Sequence, residues 1–173
     1  ITFAVNYCAS KQDNPSVTDG KRLIRIAAYL KGTIHHAIAF YPNSPTNIIQ
    51  YVDSDYAGDP VDRKSTMGYI TLTNGPLSWR STKQKEIALS TSNAEYVAIS
   101  EGAREVKFLS YLTRQPLNHN IPTILCDNKG AILNCKQELP HKRSKHIDVK
   151  YHFIKDEVKQ NNIEVRHVRS KDN

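Results

Sequence analysis

The spacing of apolar residues divides the chain into a helical N-terminal part and a longer part in which strands and helices alternate. The apolar side chains of residues 16–33 recur at helical spacing, at positions Leu23, Ile26, Ala27 and Leu30. Asp19 is predicted to cap the start of this helix, and Gly32 is predicted to lie just past its end. Residues 40–47 contain two prolines and two asparagines, which predicts a boundary between the two parts.

Beyond this boundary, the pattern changes to the alternation that is typical of strands. Residues 48–53 form the first predicted strand, in which Ile49, Tyr51 and Asp53 share one face. The strand therefore carries an aspartate at its end, directly after an apolar stretch.

Two further strands are predicted to pair with each other as an antiparallel hairpin. They are residues 68–73 and 77–82, and both are rich in residues that favour strands. Asn74 and Gly75 between them predict a type I′ turn. Trp79, on the second of these strands, is predicted to lie in the core.

A long helix is predicted at residues 92–114, with an acidic residue on its apolar face. Glu95 and Gly102 share this face with three apolar side chains, namely Ile99, Val106 and Leu109. An ionised and unpaired glutamate facing the core would be costly. The alternative is that Glu95 lies near the helix start, where water and the helix dipole stabilise its charge.

The last third of the chain continues the alternation of strands and helices. Residues 121–127 predict a short strand that ends in Asp127, and residues 128–137 a short helix. Residues 144–160 predict another helix and residues 163–168 a last strand. The order β-β-β-α-β-α-α-β predicts an α/β domain with helices packed on a mixed sheet.

Composition narrows the class of protein. The 173 residues are 39% hydrophobic and 24% charged, which fits one folded domain with or without an extra segment. No apolar run approaches the roughly 20 residues of a membrane helix, so no membrane partner is expected. The chain begins ITFAVNYCAS, without an initiator Met or a signal peptide pattern, and is expected to be a piece of a longer chain.

The cysteine count indicates the compartment of the protein, and the net charge indicates the kind of partner that it binds. The chain has three cysteines, a small and odd number that does not suit a disulfide framework and favours a reducing compartment. The net charge of +7 predicts a polyanionic partner. A basic surface without any nucleic-acid role is the alternative.

Three acids occupy positions from which they can meet. If the strands ending in Asp53 and Asp127 are parallel neighbours, both carboxylates lie at one edge of the sheet, and the start of the long helix brings Glu95 beside them. Converging carboxylates need a hard divalent cation such as Mg²⁺. Two such ions, about 3.5–4 Å apart, support attack of water on a phosphodiester. An aspartate alone at a strand end is more often a turn former.

Four segments together resemble one protein family, the ribonuclease H domain of copia-type LTR retrotransposon Pol polyproteins. The segments are YVDSDYAGDPVDRKSTMGYI, SWRSTKQKEIALSTSNAEYVAIS, LCDNKGAI and SKHIDVKYHFIKDEV. The resemblance implies a ribonuclease H-like fold, a five-stranded mixed sheet with flanking helices, over residues 48–173. It further implies that residues 1–47 are the C-terminal (thumb or connector) segment of the upstream reverse transcriptase in the same polyprotein.

The resemblance also implies an activity and a set of metal ligands. The family cleaves the RNA strand of RNA–DNA hybrids with two Mg²⁺ ions, for which Mn²⁺ is a substitute. Asp53, Glu95 and Asp127 match the first three acids of the family. Asp172 is the candidate for the fourth, although copia-type sequences usually continue with a further acid past this point. The expected setting is a cytoplasmic virus-like particle with nuclear passage; the sequence does not give the oligomeric state.

Polar and basic residues around these acids are candidates for contacts with the hybrid. They are Arg63, Lys64, Ser65, Lys83, Lys85, Asn128, Lys142, Arg143 and Lys145. For each one singly, a solvated surface residue is the alternative. Asp55, Asp59 and Asp62 are interpreted as residues that shape the loop after the first strand.

Two other functions compete with the hybrid-specific nuclease. One is a catalytically impaired remnant that still binds nucleic acid. The other is a nuclease of the same fold that acts on DNA, which the match to the copia-type motifs disfavours.

Overall fold

A computed structural model describes residues 1–41, 47–112, 121–136 and 145–173, with only the backbone described for residues 145–151. Within these ranges, no helix combines the length and apolar character needed to cross a membrane.

Two helices form the N-terminal part, α1 at Thr2–Ala9 and α2 at Val17–Gly32. The residue that caps α2 is Ser16, whose hydroxyl accepts a hydrogen bond from the backbone N–H of Asp19. The Asp19 carboxylate in turn accepts from the backbone N–H of Ser16 at 2.9 Å, so the two residues form a capping box. The prediction that Asp19 itself is the cap is therefore wrong by three residues, and Gly32 is the last helical residue rather than the first beyond the helix.

Five strands form one mixed sheet. They are β1 (Ile49–Asp55), β2 (Thr66–Leu72), β3 (Pro76–Lys83), β4 (Thr123–Cys126) and β5 (Glu164–His167), in the spatial order β3-β2-β1-β4-β5. β2 pairs antiparallel with both β1 and β3, whereas β4 is parallel to both β1 and β5. The expected parallel pairing of the strands that lead to Asp53 and Asp127 is confirmed, so their C-terminal ends meet at one edge.

The connection between β2 and β3 is a hairpin, but not with the predicted turn. A type I′ turn needs positive φ angles at both central residues, and neither Asn74 nor Gly75 has one. The N-terminal part runs across this turn instead, where the backbone N–H of Tyr41 donates to the carbonyl of Asn74 at 3.0 Å. A Cβ at Gly75 would lie 2.6 Å from the carbonyl oxygen of Ala39, so the glycine allows this close approach.

Three helices cover one face of the sheet. They are α3 (Thr91–Leu112), α4 (Lys129–Lys136) and α5 (Lys145–Lys159), and a short 3₁₀ helix at Ser170–Asp172 ends the chain. The buried core between the helices and the sheet contains side chains of β1, β4, β5 and all three helices, among them Val52, Ile99, Ile124, Ile154 and Val165. Tyr69 of β2 and Leu77 of β3 are partly buried and pack against this core. The apolar face predicted for α3 is thus confirmed, and α4 is the short helix that was expected after β4.

A glycine brings α3 close to β1. A Cβ at Gly102 would lie 2.3 Å from Oε1 of Gln50 and 3.0 Å from Cγ1 of Val52. Only a residue without a side chain fits at this contact. The contact lies about two turns of α3 from Glu95.

The opposite face of the sheet carries exposed apolar side chains. Ile70 of β2 is opposite Trp79 of β3, and they are 37% and 50% exposed. The prediction that Trp79 lies in the core is wrong, because the tryptophan points away from the face that α3, α4 and α5 cover.

Candidate active site

The first predicted acid lies near the C-terminal end of β1. Asp53 is exposed and alternates with the buried Val52, so its side chain points away from the core beneath α3. The carbonyl of Val52 accepts a hydrogen bond at 3.0 Å from the side chain of Asn173, which is 121 residues further along the chain. Asp172, the candidate fourth acid, precedes this asparagine and is exposed in the 3₁₀ helix.

Glu95 lies on the buried face of α3, as predicted. It is in the second turn of the helix, and only 6% of its surface is exposed, so the alternative of a water-exposed residue at the helix start is wrong. Its Oε1 accepts a hydrogen bond at 3.1 Å from the backbone N–H of Ser54. The glutamate of α3 is therefore tied to the residue that directly follows Asp53.

The surroundings of Glu95 oppose its ionisation. Burial raises its pKa, and the negative charges of Asp53 and Asp127 raise it further, to about 7 from an ordinary value of 4.5. The hydrogen bond from Ser54 acts in the opposite direction, but it does not offset these effects. A bound cation would relieve both the repulsion and the cost of burial.

The third acid lies directly after β4. Asp127 is half-buried, and its ligand atom lies within 4.8 Å of those of Glu95 and Cys126, which form one group of potential ligands. The Cys126 thiol is buried, and its Sγ is 3.7 Å from Oε2 of Glu95. Burial is also the main reason why the pKa of this thiol is raised to about 12.

These donors fit a hard divalent ion. Carboxylate oxygens are the ligands that Mg²⁺ and Mn²⁺ prefer, whereas a thiol binds metal as its thiolate. The raised pKa keeps the Cys126 thiol protonated, so the oxygens of Glu95 and Asp127 are the available donors on this side of the site.

Two residues of the site were not predicted from the sequence. Ser54 contributes its backbone N–H to Glu95, and Gln84 donates a hydrogen bond to the hydroxyl of Ser54 at 3.2 Å. A buried glutamine between two strands and a helix leaves no periodic pattern. Its position directly after a strand, in a segment with few apolar residues, was the one signal available.

Known proteins resemble this chain in sequence and in fold. No protein-family model matches the chain. The chain is 36% identical over 175 residues to the retrovirus-related Pol polyprotein from transposon RE1 of Arabidopsis thaliana, a match that covers 99% of the chain and 12% of the relative. It is 35% identical, over 100% of its length and 13% of the relative, to the Pol polyprotein from transposon TNT 1-94 of Nicotiana tabacum.

Solved structures share the fold. LC11-RNase H1, isolated from compost by a metagenomic approach, superposes with a TM-score of 0.52 at 18% identity, over 73% of this chain and 86% of that one. The foamy viral protease-reverse transcriptase in complex with RNA/DNA hybrid superposes with the same TM-score at 16% identity, over 78% of this chain and 19% of that one. The chain belongs to the ribonuclease H domains of retrotransposon Pol polyproteins. It spans about an eighth of the length of the Pol polyproteins that it matches.

The loop after β1 of this ribonuclease H domain is held by its own aspartates. Oδ1 of Asp59 accepts from the backbone N–H groups of Val61 and Asp62, and Asp62 accepts from that of Lys64. Lys83 forms ion pairs with both aspartates, and mainly for this reason the pKa of Asp59 is well below its usual range. The interpretation of Asp59 and Asp62 as loop-shaping residues is confirmed.

The structure separates the predicted hybrid-binding residues of the ribonuclease H domain into different environments. Arg63 and Lys85 are exposed, and Lys64 is half-buried. The buried hydroxyl of Ser65 accepts from the backbone N–H of Ala57 at 3.1 Å, which gives it a structural role.

The remaining candidates lie beside the acids or outside the described residues. Oδ1 of Asn128 accepts from the backbone N–H of Ala131 at 2.9 Å and so caps the first turn of α4. Lys142 and Arg143 lie outside the described residues, and for Lys145 only the backbone is described.

Proposed function

We propose that this ribonuclease H domain is a metal-dependent endoribonuclease that hydrolyses the RNA strand of RNA–DNA hybrids during reverse transcription of a retrotransposon. The observation that carries the proposal is the buried carboxylate of Glu95, which meets Asp127 at the edge of the sheet where β1 also ends. A glutamate with a pKa raised to about 7 is poised to gain a cation. The fold and the Pol relatives support a nuclease of the ribonuclease H type.

Mg²⁺ is the proposed metal, with Mn²⁺ as a substitute. Asp53, Glu95 and Asp127 would hold two ions, and Asp172 is the proposed fourth ligand. When bound, such ions supply an activated water and stabilise the charge of the leaving oxygen. The chain's own contribution is to hold the acids in place. Ser54 orients Glu95 through its backbone N–H, and the protonated thiol of Cys126 donates to the other oxygen of the same carboxylate.

The proposed substrate is a polyanion, in keeping with the net charge of +7. Arg63 and Lys85 offer exposed cations for the phosphate backbone, and Lys142, Arg143 and Lys145 add charge further along the chain. LC11-RNase H1 has also been solved with an RNA/DNA hybrid. We expect recognition through the shape of the hybrid and the 2′-hydroxyl groups of its RNA strand, without sequence preference.

The proposed partner in the same polyprotein is the upstream reverse transcriptase, whose C-terminal segment is residues 1–47. Helix α1 of this segment contacts the nuclease, since the side chain of Asn6 donates a hydrogen bond to the carbonyl of Ser81 in β3. The proposed setting is a cytoplasmic virus-like particle.

Cleavage of a labelled RNA–DNA hybrid in Mg²⁺ tests the proposal. The chain is expected to shorten the RNA strand of the hybrid and to spare single-stranded RNA. Asp53→Asn removes a ligand without changing the shape of the side chain, so activity is expected to fall by about 100-fold or more while hybrid binding persists. Asp55→Asn is the matched control, because it makes the same change two residues along β1 and is expected to retain activity.

Equal activity of the parent chain and Asp53→Asn would refute the assignment of this aspartate. Binding should be measured on the same samples by fluorescence anisotropy, with EDTA in place of the metal. Loss of binding together with loss of cleavage would mean that Asp53 acts on the substrate or the fold and not through a metal.

A hybrid-binding domain with impaired catalysis is the second candidate. The observation in its favour is that, among the described residues, the converging ligand atoms come from Glu95, Cys126 and Asp127, whereas Asp53 and Asp172 are outside this group. Tight hybrid binding by a folded chain, with no RNA cleavage in either Mg²⁺ or Mn²⁺, would favour this candidate over the nuclease.

A further inference from the structure

A buried glutamine lies between the strands and the helix that carry the proposed ligands. Gln84 directly follows β3 and is 3% exposed. Its backbone N–H donates to the carbonyl of Ser65 at 2.8 Å, which fixes the start of the side chain. The sequence motifs and the proposed mechanism assign no role to this residue.

The side-chain amide of Gln84 connects the neighbours of two acids. Its Nε2 donates to the carbonyl of Ala94 at 2.9 Å and to the hydroxyl of Ser54 at 3.2 Å. An amide nitrogen has two hydrogens, so both are used. Ala94 directly precedes Glu95, and Ser54 directly follows Asp53.

A third hydrogen bond closes the connection. The backbone N–H of Ser54 donates to Oε1 of Glu95 at 3.1 Å. Gln84 therefore holds the start of α3 against the end of β1 from one side, while Ser54 and Glu95 hold the same two elements from the other. Loss of the amide would leave buried polar groups without this partner and would loosen the spacing of the two elements.

We propose that Gln84 is a positioning residue that sets the distance between Asp53 and Glu95 for metal binding. This inference rests on the proposed function, since it is the metal-binding acids that Gln84 positions. A displacement of the acids by about 1 Å is enough to lower the rate by about 100-fold. Gln84 itself touches neither acid directly, so its effect should appear in turnover and metal dependence and not in hybrid affinity.

Replacement of Gln84 by leucine tests this role, with a second buried glutamine as the matched control. Gln84→Leu is expected to lower kcat by about 10- to 100-fold, to leave KM for the hybrid unchanged and to raise the Mg²⁺ concentration needed for half-maximal rate. Gln50→Leu removes an equally buried amide, which donates to the hydroxyl of Thr71 at 2.9 Å on β2. This control is expected to keep the kcat and the Mg²⁺ dependence of the parent chain.

A double-mutant cycle tests whether Gln84 acts through Ser54. Ser54→Ala removes the hydroxyl that accepts from Gln84 but keeps the backbone N–H that donates to Glu95. The Gln84→Leu/Ser54→Ala chain is expected to be no slower than Gln84→Leu alone, because the second change removes a bond that is already lost. Independent losses that multiply in the Gln84→Leu/Ser54→Ala chain would contradict the coupling. The Gln50→Leu/Ser54→Ala chain, in which the control change adds no loss, is expected to be as slow as Ser54→Ala alone.

A second variant, Gln84→Glu, tests the same role of the side-chain amide. Gln84→Glu preserves the length and shape of the side chain but, when ionised, cannot donate, so it should show the same loss of kcat if Gln84→Leu does not fold. Either folded variant with the kcat and Mg²⁺ dependence of the parent chain would overturn the positioning role.

Calorimetric titration with Mn²⁺ tests the positioning role of Gln84 independently of RNA cleavage. If the parent chain binds Mn²⁺ but cleaves no hybrid, the nuclease assignment fails, and a weaker affinity of Gln84→Leu would still support the positioning role. Equal Mn²⁺ affinity of the parent chain and Gln84→Leu would overturn that role whatever the outcome of the cleavage assay.

Discussion

Replacement of Glu95 by glutamine is expected to stabilise the metal-free protein above neutral pH. The carboxylate is buried on α3 and has a single backbone donor, Ser54, while Asp53 and Asp127 add repulsion. Glutamine keeps an oxygen that accepts from Ser54 and carries no charge. The protein therefore gives up a destabilising charge, keeps the hydrogen bond from Ser54 and loses only the weak one that the Cys126 thiol donates to Oε2.

The size of the effect follows from the pKa of Glu95. A rise from 4.5 to about 7 corresponds to roughly 3 kcal/mol at most. Solvent beside the exposed Asp53 screens part of the repulsion, so about 1–2 kcal/mol is the expected gain.

The sign of the pH dependence follows from proton binding. Between about pH 4.5 and pH 7 the folded protein holds the Glu95 proton more often than the unfolded chain does. The free energy of unfolding should therefore fall as the pH rises through this window, and the loss should be complete above about pH 7. Glu95→Gln should not show this decrease.

Urea unfolding in EDTA, followed by circular dichroism from about pH 4.5 to pH 8, measures the difference. Glu157→Gln is the matched control, since Glu157 is also 6% exposed but accepts from Asn162 and pairs with Lys107. This control is expected to lose about 1 kcal/mol at pH 8, because it removes the charge that pairs with Lys107. A Glu95→Gln protein that is no more stable than the parent chain at pH 8 would refute the view that this carboxylate is destabilising without metal.

Two further changes probe the packing and the thiols. Gly102→Ala is expected to cost about 1–3 kcal/mol in urea unfolding, because its Cβ would lie 2.3 Å from a buried amide oxygen of β1. Gly20→Ala, with nothing within 4 Å of its Cβ, should instead stabilise α2 by about 0.5–1 kcal/mol. Equal effects at the two sites would contradict the tight contact at Gly102. Iodoacetamide should label Cys8 in the folded protein but spare Cys126 and Cys135, because burial raises the pKa values of these two thiols to about 12. Labelling is measured by mass spectrometry, and rapid labelling of Cys126 would show that the reagent reaches the thiol beside Glu95.

The elements that hold the acids were predictable because they have strong periodic patterns. Strand β1 alternates, and helix α3 repeats apolar residues from Ile99 to Leu109, so Asp53 and Glu95 could be assigned to their faces from the sequence. Asp127 followed from the short apolar strand before it. The parallel pairing of β1 and β4 was an assumption that the sheet order confirms.

The details that tertiary contacts decide were not predictable. Asn74 and Gly75 favour a type I′ turn in isolation, yet the passage of residues 39–41 across the hairpin selects another conformation. Hydrophobicity placed Trp79 in the core because the sequence does not tell which face of a sheet the helices cover.

The residues that support the site have the weakest sequence signals. Gln84 and Ser54 act through a few hydrogen bonds between different elements of the fold, so no local pattern marks them. For the basic stretch around Lys142 and Arg143, charge is the one sequence signal on which the prediction of hybrid contacts rests.

The position of Trp79 also decides what intrinsic fluorescence can report. It is the one tryptophan of the chain, and it is half exposed on the sheet face opposite the helices. Its emission should therefore change little when the core around Glu95 melts, and much more when another surface covers Ile70 and the rest of that face. The same indole that is a poor probe of unfolding is a probe for binding at the sheet face on which Ile70 and Trp79 are exposed among the described residues.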